Sequence, residues 1–124
     1  MKILICGSRG IPAQYGGFES LAQALALNFS DHEREVVVTG FSNDIKGPIV
    51  NQVDGNISYQ IPARGPRFVQ NFLCTWMATR DLDTEHSFDA VIVLNDVNYF
   101  VARKYWKKGI RTVLHLDGAE AKRS

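Results

Sequence analysis

The sequence predicts an α/β fold, a Rossmann-like parallel sheet with helices on both faces. Three observations predict it. Ile3 to Cys6 and Ala90 to Leu94 are short unbroken apolar runs, which suit strands buried on both faces of a parallel sheet. Between the strands, apolar residues recur at the spacing of one helical face. Strands and helices alternate, apart from the link between the second and third strands, and no internal repeat is visible. A chain of 124 residues, 45% hydrophobic and 22% charged, has the length and composition of one globular domain with a real core. Its formal charge of +1 gives no reason to expect nucleic acid as a partner. No apolar run nears the ~20 residues that cross a bilayer, and Met1-Lys2 leads straight into the first strand without a signal peptide. A cytoplasmic protein is expected.

The first strand, Ile3 to Cys6, runs into the glycine-rich loop Gly7 to Gly17. Phe18, Leu21, Ala22, Leu25, Ala26 and Phe29 then mark a helix. Ser30 to Arg34 is a polar turn, and its His32 is given no role. Glu35 to Phe41 is the second strand, β-branched and nearly all apolar. Asn43 to Gly55 has the composition of a long loop. Ile57 to Ile61 alternates apolar with polar and reads as a third, more exposed strand.

Pro62 to Pro66 breaks that strand and leads into a helix from about Arg67 to Leu82. Its apolar stripe is Phe68, Val69, Phe72, Leu73, Trp76 and Met77, flanked by Arg64, Arg67 and Arg80. This reads either as a basic-aromatic surface touching anionic lipid headgroups or as a core-facing helix with its polar face in water. The second is expected. Ala90 to Leu94 is a fourth, buried strand, and Asp96 beyond it is a candidate N-cap for a helix from about Val97 to Lys108. That helix turns Val101, Ala102 and Tyr105 inward and ends at Gly109, with Lys107 and Lys108 at its negative end. Arg111 to His115 is the fifth strand. Cys6 and Cys74 read as buried thiols, with neither a disulfide framework nor a zinc site.

The loops after the first, fourth and fifth strands are expected to share one edge of the sheet, where open α/β sheets bind ligands. Arg9, Gly10, Tyr15, Gly16, Gly17, Asp96, His115, Asp117 and Glu120 would then meet around one crevice. Gly16 and Gly17 stand where a helix begins and leave room for an anion to approach the backbone. The loop is not a dinucleotide fingerprint. Arg9 replaces the second glycine, and the acidic residue expected after the second strand is missing, which disfavours an NAD-dependent enzyme. Arg9 suits a phosphate or a neighbouring carboxylate. Glu19 suits a sugar hydroxyl or simply the dipole of its helix. His115 and Asp117 are candidates to touch substrate, and a hydrogen-bonded scaffold role is the alternative for His115. Lys122 and Arg123 are candidates for phosphate, or only solvated.

Gly7 to Ser20, G-S-R-G-I-P-A-Q-Y-G-G-F-E-S, resembles the opening motif of bacterial glycosyltransferases of the GT-B fold. It is most similar to the rhamnosyl- and galactosyl-transferase-like branch of family 4, which begins G-T-R-G-I-P-x-x-Y-G-G-F-E-T. His115 to Ser124, H-L-D-G-A-E-A-K-R-S, is similar to that branch's D-G-x-E-W-K-R-x-K-W. The resemblance implies one half of a GT-B fold, the N-terminal, acceptor-side domain, covering all 124 residues. It implies that Arg9, Gly10, Tyr15, Gly16, Gly17 and Glu19 belong to the first motif and Asp117, Gly118, Glu120, Lys122 and Arg123 to the second. Gly16 and Gly17 would admit the donor's phosphates or transferred sugar, and His115 falls near a cleft residue that contacts that sugar. Retention of anomeric configuration is implied, with no metal and no cofactor, the nucleotide-sugar donor being a substrate. Ala121 stands where the family has tryptophan.

The expected function is therefore sugar transfer from a nucleotide-sugar donor to a saccharide or lipid-linked acceptor, in cell-surface polysaccharide or glycolipid biosynthesis. The family's donor-binding C-terminal domain is absent from this stretch, and the chain alone is expected to transfer no sugar. Its expected partners are that missing domain, the inner face of the plasma membrane as a peripheral contact, and a second copy through the surface the missing domain would cover. The alternative is a free-standing Rossmann-like module that binds a nucleotide or phosphate.

Overall fold

β-Branched and aliphatic residues fill the centre of a sheet six strands wide in the computed structural model, which describes residues 1–9, 34–53 and 55–115. In chain order the described elements are β1 (Lys2–Cys6), β2 (Glu35–Ser42), β3 (Ile49–Val53), β4 (Asn56–Pro62), α1 (Arg67–Asp83), β5 (Ala90–Leu94), a 3₁₀ turn (Asp96–Asn98), α2 (Tyr99–Lys107) and β6 (Arg111–His115). The strands lie in the order β3-β4-β2-β1-β5-β6. Every neighbouring pair is parallel except β3 with β4. The sequence-predicted α/β, Rossmann-like fold is present.

β1 is the axis. Its Leu4 stands opposite Val37 on one side and Val91 on the other. Leu4 and Cys6 join Val37, Val91 and Val93 in a buried cluster with Val101, Ala102 and Tyr105 of α2. Ile3 and Ile5 alternate onto the opposite face, where Val36 and Val38 flank them, and all four are buried. Burial on both faces explains why this strand carries no polar residue after Lys2. Each such side chain contributes roughly 1.5–3 kcal/mol. The expected helix over 18–29, the glycine loop beyond Arg9 and the turn before Arg34 lie outside the described residues.

Three expectations change. First, the stretch expected to be one long loop contains β3, which pairs with β4 from Ile49 opposite Gln60 to Val53 opposite Asn56. Only two residues separate Val53 from Asn56, and Gly55 has φ +82°, as a tight hairpin requires. β3 covers the outer edge of β4, so Asn56 and Ser58 are buried and that strand is less exposed than its alternation suggests.

Second, α1 does not bury its most apolar stripe. Its buried residues are Cys74, Thr75, Ala78, Thr79 and Leu82, a face rotated by about a third of a turn from the expected one. Small side chains let the helix lie close to the sheet. The Thr79 hydroxyl donates to the Thr75 carbonyl at 2.9 Å, so the buried oxygen is satisfied within the helix. Phe72 and Trp76 pack half-buried at the side of the core, and Phe68 is 85% exposed.

Third, Asp96 is not a helix cap. The Asn95 side chain accepts from the Val97 N–H at 3.2 Å, and Asp96 lies exposed in the 3₁₀ turn that precedes α2. The far end of α2 is as expected, with Gly109 at φ +81° just beyond Lys108.

An ammonium group sits at the contact between the two helices. Lys104 of α2 donates to the Thr79 hydroxyl of α1 at 2.9 Å and lies 3.4 Å from the Asp83 carboxylate. It also sits over the rings of Trp76 and Tyr105, at 4.7 and 4.9 Å from their centroids. Burial pulls its pKa below the ordinary lysine range, against the opposing pull of Asp83. The Tyr105 hydroxyl donates to Asp83 at 2.8 Å, and burial first, then that carboxylate, pushes the phenol's pKa up.

Candidate functional site: the carboxyl edge between β1 and β5

β1 and β5 lie side by side where the strand order reverses, the place at which open α/β sheets form a ligand crevice. The sequence at this point is built for close approach. The chain leaves β1 through Gly7 at φ +101°, and a Cβ there would meet the Leu94 carbonyl oxygen and come within 2.9 Å of Asn98 Nδ2. Only glycine lets the β1 loop press against the end of β5.

Three asparagines then fix the loops. Asn71 of α1 donates to the Gly7 carbonyl at 2.9 Å. Asn98 donates to Asn71 Oδ1 at 2.8 Å and to the Leu94 carbonyl at 2.9 Å. Asn98 is fully buried, and among the described residues its own Oδ1 has no hydrogen-bond donor. Asn95 holds φ +77°, a conformation asparagine tolerates better than most residues, and its N–H donates to the His115 carbonyl at 2.9 Å. The ends of β1, β5 and β6 and the first turns of α1 are thus stitched into one edge.

Arg9 is half-buried on the β2 side of this edge. Its guanidinium lies 5.6 Å from the centroid of the Phe41 ring, and its carbonyl accepts from the Phe41 N–H at 3.2 Å. Asp96 and His115 are exposed at the ends of β5 and β6. The described part of the edge therefore offers a cation, a carboxylate and an imidazole beside backbone groups, a set suited to a polar or anionic ligand. The Cys6 thiol, directly behind Gly7, is no nucleophile, since burial pushes its pKa up to about 12. Cys74 is likewise a buried free thiol, raised by burial against the pull of Arg64.

Of the residues expected at the site, Arg9, Asp96 and His115 stand at one edge of the sheet, as their strands predict. Gly10, Tyr15, Gly16, Gly17, Glu19, Asp117, Gly118, Glu120, Lys122 and Arg123 lie outside the described residues. Sequence reasoning missed Asn71, Asn95 and Asn98. The signal for the last two was the pair of asparagines flanking Asp96-Val97 just after an apolar strand. Asn71, on a helix, carried none.

A cavity of about 160 Å³ lies away from this edge, between α2 and β6, lined by Tyr99, Ala102, Arg103, Trp106, Thr112 and Leu114. Among the described residues Arg103 is its one charged group, so it lacks the mixed charges of the edge. No protein-family model and no curated protein matches the chain. Fold and site together define a Rossmann-like α/β domain with Arg9, Asp96 and His115 at the carboxyl edge of its sheet, and among the described residues no helix is long and apolar enough to cross a membrane.

Proposed function

We propose that this chain is the acceptor-side, Rossmann-like domain of a family-4 GT-B glycosyltransferase that builds a cell-surface polysaccharide or glycolipid in the cytoplasm. One observation carries the reading. The two stretches that resemble the family begin at Gly7 and His115, and both leave the sheet at the same edge, at the ends of the parallel strands β1 and β6.

In this reading Arg9 faces the donor's phosphates, with Gly10, Tyr15, Gly16 and Gly17 forming the loop that approaches them. Glu19 and Asp96 take sugar hydroxyls. His115 and Asp117 act at the transferred sugar. Gly118, Glu120, Lys122 and Arg123 complete the second loop. A second domain supplies most of the donor contacts, and transfer retains anomeric configuration without a metal. The chain by itself transfers no sugar, because one wall of a cleft cannot exclude water or align two substrates.

The test is calorimetry of nucleoside diphosphates and their sugars against the 124-residue chain, alone and joined to a donor domain of the same family. Weak binding by the chain alone, restored in the joined protein and weakened by Arg9→Ala, supports the proposal. Tight binding by the chain alone, lost on Gly17→Val, replaces it with a self-sufficient nucleotide-binding module.

A further inference from the structure

The stripe that α1 leaves outside is continuous with the outward face of α2. Phe72 of α1 lies 5.9 Å from Trp76 and 6.5 Å, edge-on, from Phe100 of α2, which in turn lies 5.5 Å from Tyr99. One aromatic row therefore crosses from helix to helix. At its margins Phe68 is 85% and Trp106 70% exposed. Large rings so placed gain nothing from the core, and a contiguous apolar patch of this kind marks a surface that meets another phase or molecule.

Exposed cations outnumber carboxylates around the row, with Asp83 held 3.4 Å from the Lys104 ammonium that sits over Trp76. Arg64, Arg67, Arg103 and Lys107 are all exposed. Within segments 64–72 and 95–107 the single carboxylate is Asp96. The whole chain carries only +1, so this is segregation of charge and not a basic composition.

From this we infer that the outer face of α1 and α2 docks on a bilayer containing anionic phospholipid. Aromatic rings and cationic side chains interleave along α2, with Val101, Ala102 and Tyr105 turned into the core. That is the composition of a helix lying in the plane of a membrane interface. Rings enter the headgroup–acyl boundary while arginine and lysine stems reach back to phosphates. The inference stands independently of the glycosyltransferase proposal, since it uses neither the carboxyl-edge crevice nor the resembling motifs.

The experiment is co-sedimentation of the full chain with vesicles of phosphatidylcholine alone and of phosphatidylcholine with phosphatidylglycerol. Binding is expected only to the anionic vesicles, and weaker in high salt. Phe68→Ser with Phe100→Ser, and separately Arg67→Gln with Arg103→Gln, should each lower vesicle affinity about tenfold or more. All four positions are exposed, and circular dichroism checks that the variants keep their fold. Trp106 fluorescence should shift to the blue on the anionic vesicles, a shift that Trp106→Phe removes. A folded chain that ignores anionic vesicles overturns the inference. So does salt-sensitive binding that survives the phenylalanine pair, which would mean adsorption elsewhere by charge. Loss of self-association in light scattering on Phe68→Ser, with no vesicle binding by the parent chain, would assign the face to a second copy instead.

Discussion

Asn98 gives both of its amide hydrogens to oxygens of neighbouring elements, one of them Asn71 Oδ1 at 2.8 Å. Asn71 passes the restraint on to Gly7, so the β1 loop is held from α1 and from β5 at once. Asn98→Ala takes a donor from the buried Leu94 carbonyl and from the half-buried Asn71 Oδ1 and should cost about 2 kcal/mol. Asn98→Asp should cost more, because it turns a carboxylate oxygen toward those same acceptors. Urea midpoints order the three proteins, and an alanine variant as stable as the parent would dissolve the network.

Gly7 and Gly109 both have positive φ, and only one is crowded. Gly7→Ala drives a methyl group into the Leu94 carbonyl and should destabilise by about 3 kcal/mol or more. Around Gly109 there is open space, so Gly109→Ala carries only the conformational strain, about 1 kcal/mol. Thermal denaturation of the pair reads the difference directly.

Asp83 accepts from Tyr105 and faces Lys104, with Lys108 at 3.7 Å. Asp83→Ala strands a largely buried ammonium and a phenol and should cost about 3 kcal/mol. Lys104→Met keeps the aliphatic stem over Trp76 and Tyr105 and removes the desolvated charge, so it should cost under about 1.5 kcal/mol. If denaturant unfolding reverses this order, the cluster is held by its charge and not by packing.

Alkali should unfold the protein progressively above pH 9. Below that pH the Cys6 thiol keeps its proton in both states. Above it the unfolded chain ionises from 9.0 while the folded chain holds its proton up to about 12. The unfolded state then binds fewer protons, so stability falls as pH rises, by about 4 kcal/mol across the full window. Tyr59, Cys74 and Tyr105 are shifted the same way, and Lys104, shifted down, partly offsets them. Cys6→Ala should flatten the profile of urea midpoint against pH between 9 and 11, whatever it does to stability at neutral pH.

The central parallel strands were legible as short runs rich in apolar and β-branched residues, and Ala90–Leu94 and Arg111–His115 have the expected bounds. β3 was not, since Asn51 and Gln52 carry no strand pattern and its pairing depends on β4 across the turn. Asp54-Gly55 was the readable sign. The face of α1 was misread because hydrophobicity was weighed without size, and closeness to the sheet favoured Cys74, Ala78 and the two threonines over phenylalanine. At the edge, Arg9, Asp96 and His115 could be placed from strand ends alone. The asparagines could not, because their partners are backbone and amide groups far off in sequence.

Lys104 grips the far end of α1 while the aromatic row spans its near end, so the two helices meet at both ends of their shared border. A load applied at Phe68 therefore passes through α1 to β2 and β4, against which that helix packs, and a load applied at Trp106 passes through α2 to β5 and β6.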